Sequence, residues 1–159
     1  METTTQEVLK GGEFLIKEST AKNIFTPEDF SEEQRMMASA CIDFLEKEVF
    51  PNVEQMDSLE EGYMPALLEK AGELGLLGVT LPEEYGGLGM GIQTSLIIAD
   101  HLSAGGSFST TYGAHTGIGT LPILYYGTKE QKQKYLPLLA TGDRKSTRRT
   151  PVTWPPRMP

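Results

Sequence analysis

TKEQKQKYLPLLATG, residues 128–142, states where a helix starts and where it stops. Thr128 followed three residues later by Gln131 is a capping box. The threonine oxygen can accept from the backbone of the third residue, and the glutamine side chain can reach back to the threonine N–H. Gly142 is a natural stop, because glycine takes the left-handed conformation that closes a helix without a side-chain clash. A helix over the stretch between them sets the class, and the rest of the chain is read outward from it.

Toward the N-terminus, FSTTYGAHTGIG (108–119) reads as a helix of mostly small residues, with Ser107 as its cap. Gly113, Gly117 and Gly119 each weaken it by ~1 kcal/mol relative to alanine, so close packing must hold it, or a space must lie beside it. Pro122 breaks or restarts it before ILYYG. IQTSLIIADHLSAGG (92–106) reads as a buried helix carrying Leu96, Ile97, Ile98 and Leu102. Before it, LGVTLPEEYGGLGMG is a short apolar stretch followed by glycine-rich turns. Pro65 opens a helix with Leu67, Leu68, Ala71 and Leu74 inward, closed by Gly75 or Gly78. Residues 51–63 read as a loop or short irregular helix.

Ser31-Glu32-Glu33-Gln34 is a second capping box. Its helix puts Met37, Cys41, Phe44 and Leu45 on one face and runs to Phe50, where Pro51 ends it. Thr26-Pro27-Glu28-Asp29 is a further start signal, with proline first and acids in the first turn. The spacing therefore predicts an all-α, bundle-like domain of five or six helices over residues 26–144. A polar leader, 1–25, precedes it, and a disordered basic tail, 145–159, follows. There is no internal repeat and no convincing strand before Lys145.

At 159 residues the chain is about one domain, long enough to bury a proper core. Its net charge is −8, and setting aside the three arginines after Lys145 leaves −11 for residues 1–145. Such acidity repels a phosphate backbone and argues against nucleic acid. A single cysteine, Cys41, excludes an internal disulfide and a cysteine metal cluster. METTTQEVLK has neither a basic n-region nor an apolar stretch, and no apolar run approaches the ~20 residues of a membrane span. These features place the protein in the cytoplasm.

No catalytic or metal-binding machinery follows from spacing alone. Gly87-Leu88-Gly89-Met90-Gly91 departs from the dinucleotide and P-loop patterns, follows no strand, and reads as a structural turn. His101 and His115 have no partner histidine at helical spacing. His115 reads first as a hydrogen-bonded packing residue, with ligand contact as the alternative. Asp100, Glu83 and Glu84 pair with no nucleophile and read as solvated carboxylates. No serine lies in a nucleophile elbow. Thr110, Ala114, Gly117 and Ile118 share one helix face, small enough for close packing or for a slender apolar ligand. Physical grounds alone favour packing.

LPEEYGGLGMG, followed by AHTGIGTLPILYYGTKEQKQKYLPLLATGD, closely resembles the N-terminal domain of the acyl-CoA dehydrogenase family over residues 30–144. The leader KGGEFLIKE resembles bacterial members with a longer N-terminal extension. The resemblance implies an FAD flavoprotein of fatty acid β-oxidation, an oxidoreductase that dehydrogenates a fatty acyl-CoA between Cα and Cβ. A glutamate takes the α-proton and FAD the β-hydride. Electron-transfer flavoprotein is the implied partner, and the intact enzyme is a homo-oligomer. It also makes Thr110, Ala114 and Ile118 the candidate wall of the acyl-tail pocket, reversing the preference for packing.

After the A-T-G-D motif the family continues into a flavin-holding strand resembling A-Y-C-L-T-E-P. This chain instead reads STRRTPVTWPPRMP, fourteen residues with four prolines, three arginines and the sole tryptophan. The flavin strand and the domain bearing the base are absent from it. A shifted reading frame or mis-set gene end after about Lys145 is the expected origin, with a genuine truncated variant as the alternative. On this reading the chain has no catalytic residue and binds no FAD by itself. A stand-alone helical interaction module and the same domain of an acyl-CoA oxidase are the alternatives.

Overall fold

A computed structural model of the chain describes Leu9 and residues 11–143. The expected disordered tail lies outside the described residues. The chain divides into two compact units between Arg35 and Met36. Among the described residues every regular element is helical, as expected for an all-α chain.

The first unit is built of short 3₁₀ turns, Gly11–Leu15, Ala21–Asn23 and Pro27–Asp29. Leu9 N–H donates to Asn23 O across 2.9 Å, and the rings of Phe25 and Phe30 lie 5.7 Å apart. At Thr26 the start signal forms, with its N–H on Asp29 Oδ2 at 2.9 Å, but it opens a single turn only. Phe30 is extended behind that turn, and the next start signal takes over. There Ser31 N–H donates to Gln34 Oε1 (3.0 Å) and Gln34 N–H to Ser31 Oγ (3.2 Å). This box starts α1, Glu32–Phe44.

In the second unit a π-helical stretch, Leu45–Val49, follows α1. Pro51 does not stop the winding. It sits in the first turn of the 3₁₀ segment Phe50–Asn52, where its missing N–H costs no helical bond, and α2 (Val53–Asp57) follows directly. Residues 51–57 are thus the short irregular helix, and residues 58–62, before α3, are the loop.

Helix α3 is Tyr63–Glu73, with Leu67, Leu68 and Ala71 fully buried and Gly75 as its left-handed stop. Leu74 departs from expectation: it is the helix's C-cap residue and is 47% exposed, because the stripe ends before it. Helix α4, Ile92–Leu102, buries Thr94, Ile97, Ile98 and Leu102. Leu96 also departs, at 63% exposed, since the buried set 94, 97, 98 leaves position 96 on the far side of the turn. Ser107 is not a cap. It is the first residue of α5 (Ser107–Gly113), and Gly106, at φ +56°, makes the entry turn that a side chain would strain.

From α5 the helix continues without a break through a second π stretch, Ala114–Thr120, into α6, Leu121–Tyr126. Pro122 lies in the first turn of α6 and restarts regular winding. Helix α7, Lys129–Ala140, carries the expected capping box, with Thr128 N–H on Gln131 Oε1 at 2.8 Å and Gln131 N–H on Thr128 Oγ1 at 3.3 Å.

Two apolar clusters hold this unit together. The larger joins α1, its π extension, α2, α3, α4 and α5 around Cys41, Phe44, Leu68, Ile98 and Phe108. The rings of Phe44 and Phe108 are tilted at 5.2 Å, a favourable arrangement. The smaller joins Leu81 to Leu136, Leu139 and Ala140 of α7. Where α7 ends it meets α3 backbone to backbone: a Cβ on Gly72 would lie 2.2 Å from Thr141 O. Among the described residues no helix is long and apolar enough to cross a membrane.

Candidate functional site

The continuous helix Ser107–Tyr126 has two unlike faces. One is bound into the domain. Phe108, Tyr112, His115 and Thr120 are buried. Tyr112 Oη donates to Leu76 O at 2.9 Å, and His115 Nε2 donates to Leu139 O at 2.8 Å. His115 is therefore the hydrogen-bonded packing residue, the first of its two readings. Its bond also serves one of the last carbonyls of α7, which have no partner within their own helix.

Threonines bond back to the backbone within this helix. Thr111 Oγ1 donates to Ser107 O (3.1 Å), and Thr116 Oγ1 to Tyr112 O (2.9 Å), four residues back. Thr120 Oγ1 reaches five residues back, to His115 O at 2.7 Å, matching the wider π winding. Hydroxyls bonded this way loosen helical geometry. Together with poor helix formers at 113, 117 and 119 they account for a π stretch in this position.

The opposite face is open. Thr110, Ala114 and Ile118 all lie on it, Ile118 being 81% exposed. A Cβ added at Gly113 or Gly117 would meet no atom within 4 Å. The three residues are thus brought together as one strip, and within the described residues nothing stands opposite them. Sequence spacing placed them on one face; it held no signal for whether the face would be covered.

Two clefts lie elsewhere. One, of about 250 Å³, is lined by Gln55, Met56, Tyr63 and Met64 together with Ser107 and Thr111 from the other side of α5. Gln55 Oε1 is buried without a partner among the described residues. The other, of about 310 Å³, lies between Ala40, Asp43, Phe44, Lys47, Glu48 and Leu74. Beside it Lys70 pairs with Glu48 and Lys47 with Asp43. Hydrogen bonding to Glu48 raises the pKa of Lys70, yet the pair is too exposed to matter much for stability. Neither cleft was visible in the periodicity: the first joins residues far apart in sequence, and the second needs Leu74 beside one face of residues 40–48.

The glycine loop is the structural turn expected of it. Gly87 N–H donates to Pro82 O, Leu88 to Gly78 O, Gly89 to Leu81 O and Met90 to Val79 O, at 2.8–3.2 Å. Four amides that an anion would need are already committed. The described residues accordingly do not fit a flavin's pyrophosphate at this loop. Glu83, Glu84 and Asp100 are exposed carboxylates, and His101 lies half-buried near the end of α4. Among the described residues no three His, Cys, Asp or Glu side chains gather to hold a metal ion.

Comparison with known proteins identifies relatives of this arrangement. Residues 31–143 match the family model of the acyl-CoA dehydrogenase N-terminal domain. A probable acyl-CoA dehydrogenase of Bacillus subtilis is 49% identical over 138 residues, which are 87% of this chain and 23% of the relative. A second Bacillus subtilis protein, an acyl-CoA dehydrogenase, is 39% identical over 114 residues, 71% of this chain and 30% of its own. The crystal structure of an acyl-CoA dehydrogenase complexed with FAD from Bacillus anthracis superposes with a TM-score of 0.80 at 51% identity. The match covers 87% of this chain and 24% of that one. The chain spans about a quarter of the length of these relatives.

Proposed function

The chain belongs to the acyl-CoA dehydrogenase family through its N-terminal domain, and from that premise we propose that it supplies one wall of an acyl-tail pocket and does not catalyse dehydrogenation by itself. The observation that carries the proposal is the open strip of Thr110, Ala114 and Ile118. It is slender, has no charged side chain, and lies on a helix whose other face is anchored to Leu76 and Leu139. A saturated chain needs this kind of surface: apolar or small, rigid, and without a charge to be desolvated.

In the intact enzyme the substrate is a fatty acyl-CoA, and the reaction forms a double bond between Cα and Cβ. FAD supplies the hydride-accepting chemistry there, and electron-transfer flavoprotein takes the electrons. The assembly is a homo-oligomer in the cytoplasm. No step of that reaction falls to a residue of this chain. Its part is to bind and orient the tail and to exclude water from it, with residues 26–144 acting as the helical domain. The exposed Tyr125 and Tyr126 on α6 support a face that continues into further protein.

The test is a graft. Residues 31–143 replace the aligned segment of the probable acyl-CoA dehydrogenase of Bacillus subtilis, and the product is assayed for flavin absorbance and acyl-CoA-dependent dye reduction. The graft is expected to bind flavin and turn over, and the purified chain to do neither. A flavin-loaded graft that cannot dehydrogenate any acyl-CoA overturns the pocket-wall reading. Dye reduction by the chain alone overturns the claim that it is not catalytic.

A further inference from the structure

The helix Ser107–Tyr126 keeps Phe108, Tyr112, His115 and Thr120 buried, at intervals of four, three and five residues. The first two intervals belong to one side of an α-helix, but the last does not. Five α steps would carry Thr120 about 140° past His115 and off the buried side. The π winding of Ala114–Thr120 turns the chain less per residue and keeps Thr120 there. Two bonds hold that winding. Thr120 Oγ1 donates to His115 O at 2.7 Å, and His115 Nε2 donates to Leu139 O at 2.8 Å. Ordinary winding resumes at Leu121, whose N–H donates to Gly117 O.

The same change of winding decides where Ile118 stands. Four α steps overshoot a full circle by about 40°, which is the angle from Thr110 to Ala114. A second α turn would carry Ile118 a further ~40°, to the flank of half-buried Thr111. Four π steps do not reach a full circle, so Ile118 returns into line with Thr110 and Ala114 and is 81% exposed. From Thr110 to Ile118 the open strip therefore runs straight, for on the order of 10 Å.

Such π stretches recur at functional sites. We propose that Ala114–Thr120 is a specificity device: its winding makes Ile118 the third member of the acyl-tail wall, and His115 and Thr120 are the positioning residues that lock it. This rests on the pocket-wall reading above. The substrate it suits is a straight acyl tail long enough to lie along all three residues. A short acyl group, whose carbons end near the reacting bond, has no tail to lay there.

Two single-residue deletions in the graft of residues 31–143 test it. Removing Gly119 or removing Thr116 lets α winding return, and in both Thr120 keeps its buried side. They differ at Ile118. Without Gly119 it stands four α steps after Ala114, on the flank beside Thr111. Without Thr116 it stands three α steps after Ala114, between Thr110 and the exposed Gly113, and so stays on the open face. The reading is the ratio of kcat/KM for the longest straight acyl-CoA the unaltered graft accepts to that for butyryl-CoA. Deleting Gly119 is expected to lower this ratio roughly tenfold with flavin still bound. Deleting Thr116 is expected to leave it nearly unchanged. No fall without Gly119, or an equal fall without Thr116, overturns the device. Loss of flavin from either deletion overturns it too, because the buried side beyond Thr120 would not have survived. Ala114→Phe in the same graft separates the device from the wall. A ratio that moves with Ala114→Phe and not with the Gly119 deletion leaves the wall standing without the device. A ratio that moves with neither, or a flavin-loaded graft that does not dehydrogenate, removes both.

Discussion

Gly87 and Gly113 show how differently two glycines can serve one chain. A Cβ on Gly87 would lie 2.1 Å from Leu81 O and 2.4 Å from Leu81 Cβ, and neither atom belongs to a flexible side-chain end. Gly87→Ala is expected to cost about 3 kcal/mol, seen as a lower urea midpoint at unchanged slope. Gly113 has helical φ and ψ (−62°, −37°) and nothing within 4 Å of its Cβ position. Gly113→Ala is expected to stabilise by ~0.5–1 kcal/mol in the same assay. The pocket wall invites a third substitution at this scale. Ala114→Phe in the grafted enzyme is expected to shift preference toward shorter acyl chains, read as the ratio of kcat/KM between long and short substrates. An unchanged ratio would remove Ala114 from the wall. The spacing of 110, 114 and 118 was enough to find these residues. It could not say whether the strip would be open, since that depends on what stands opposite.

Helix ends are where the sequence spoke most plainly. Thr128→Ala removes the acceptor for Gln131 N–H and is expected to cost ~1 kcal/mol, while Thr128→Ser leaves the thermal midpoint nearly unchanged. The capping boxes at Ser31 and Thr128 both form because their bonds are local and need no tertiary partner. Thr26 carries the same signal and yields one turn, since a second start signal stands five residues on. Ser107 misleads as a cap because the preceding glycine can turn the chain more sharply than a serine cap requires. Leu74 and Leu96 mislead because hydrophobicity marks a residue as able to be buried, while the angle around the helix decides whether it is. The two π stretches had no signature. The one at Ala114–Thr120 goes with threonine back-bonding, which leaves no period in the sequence, and Leu45–Val49, which has no threonine, runs straight into the proline-bearing turn Phe50–Asn52.

At the scale of the whole molecule the buried thiol links stability to pH. Burial pushes the Cys41 pKa from an ordinary 9.0 up to about 12, and burial also raises that of Tyr112, with Cys41 adding to it. Both groups are held neutral in the fold and ionise more readily when unfolded. Stability from this source is complete below the ordinary thiol pKa of 9.0 and is lost as pH climbs toward about 12. Urea midpoints are therefore expected to fall between neutral pH and ~10.5, and less steeply in Cys41→Ala. The π stretch Ala114–Thr120 has a consequence on the same scale. Each residue of an α-helix turns the chain by about 100°. A π stretch turns it by less per residue and so carries a surplus residue; excising one there would relax the stretch to ordinary winding and leave everything beyond Thr120 at nearly its present angle. Ile123 and Leu124 would still pack on the smaller cluster, and Tyr125 and Tyr126 would still face outward. The wide turn thus takes up one residue of slack: it lets both halves of one rod keep a packed side, Phe108 and Tyr112 on the larger cluster, Ile123 and Leu124 on the smaller.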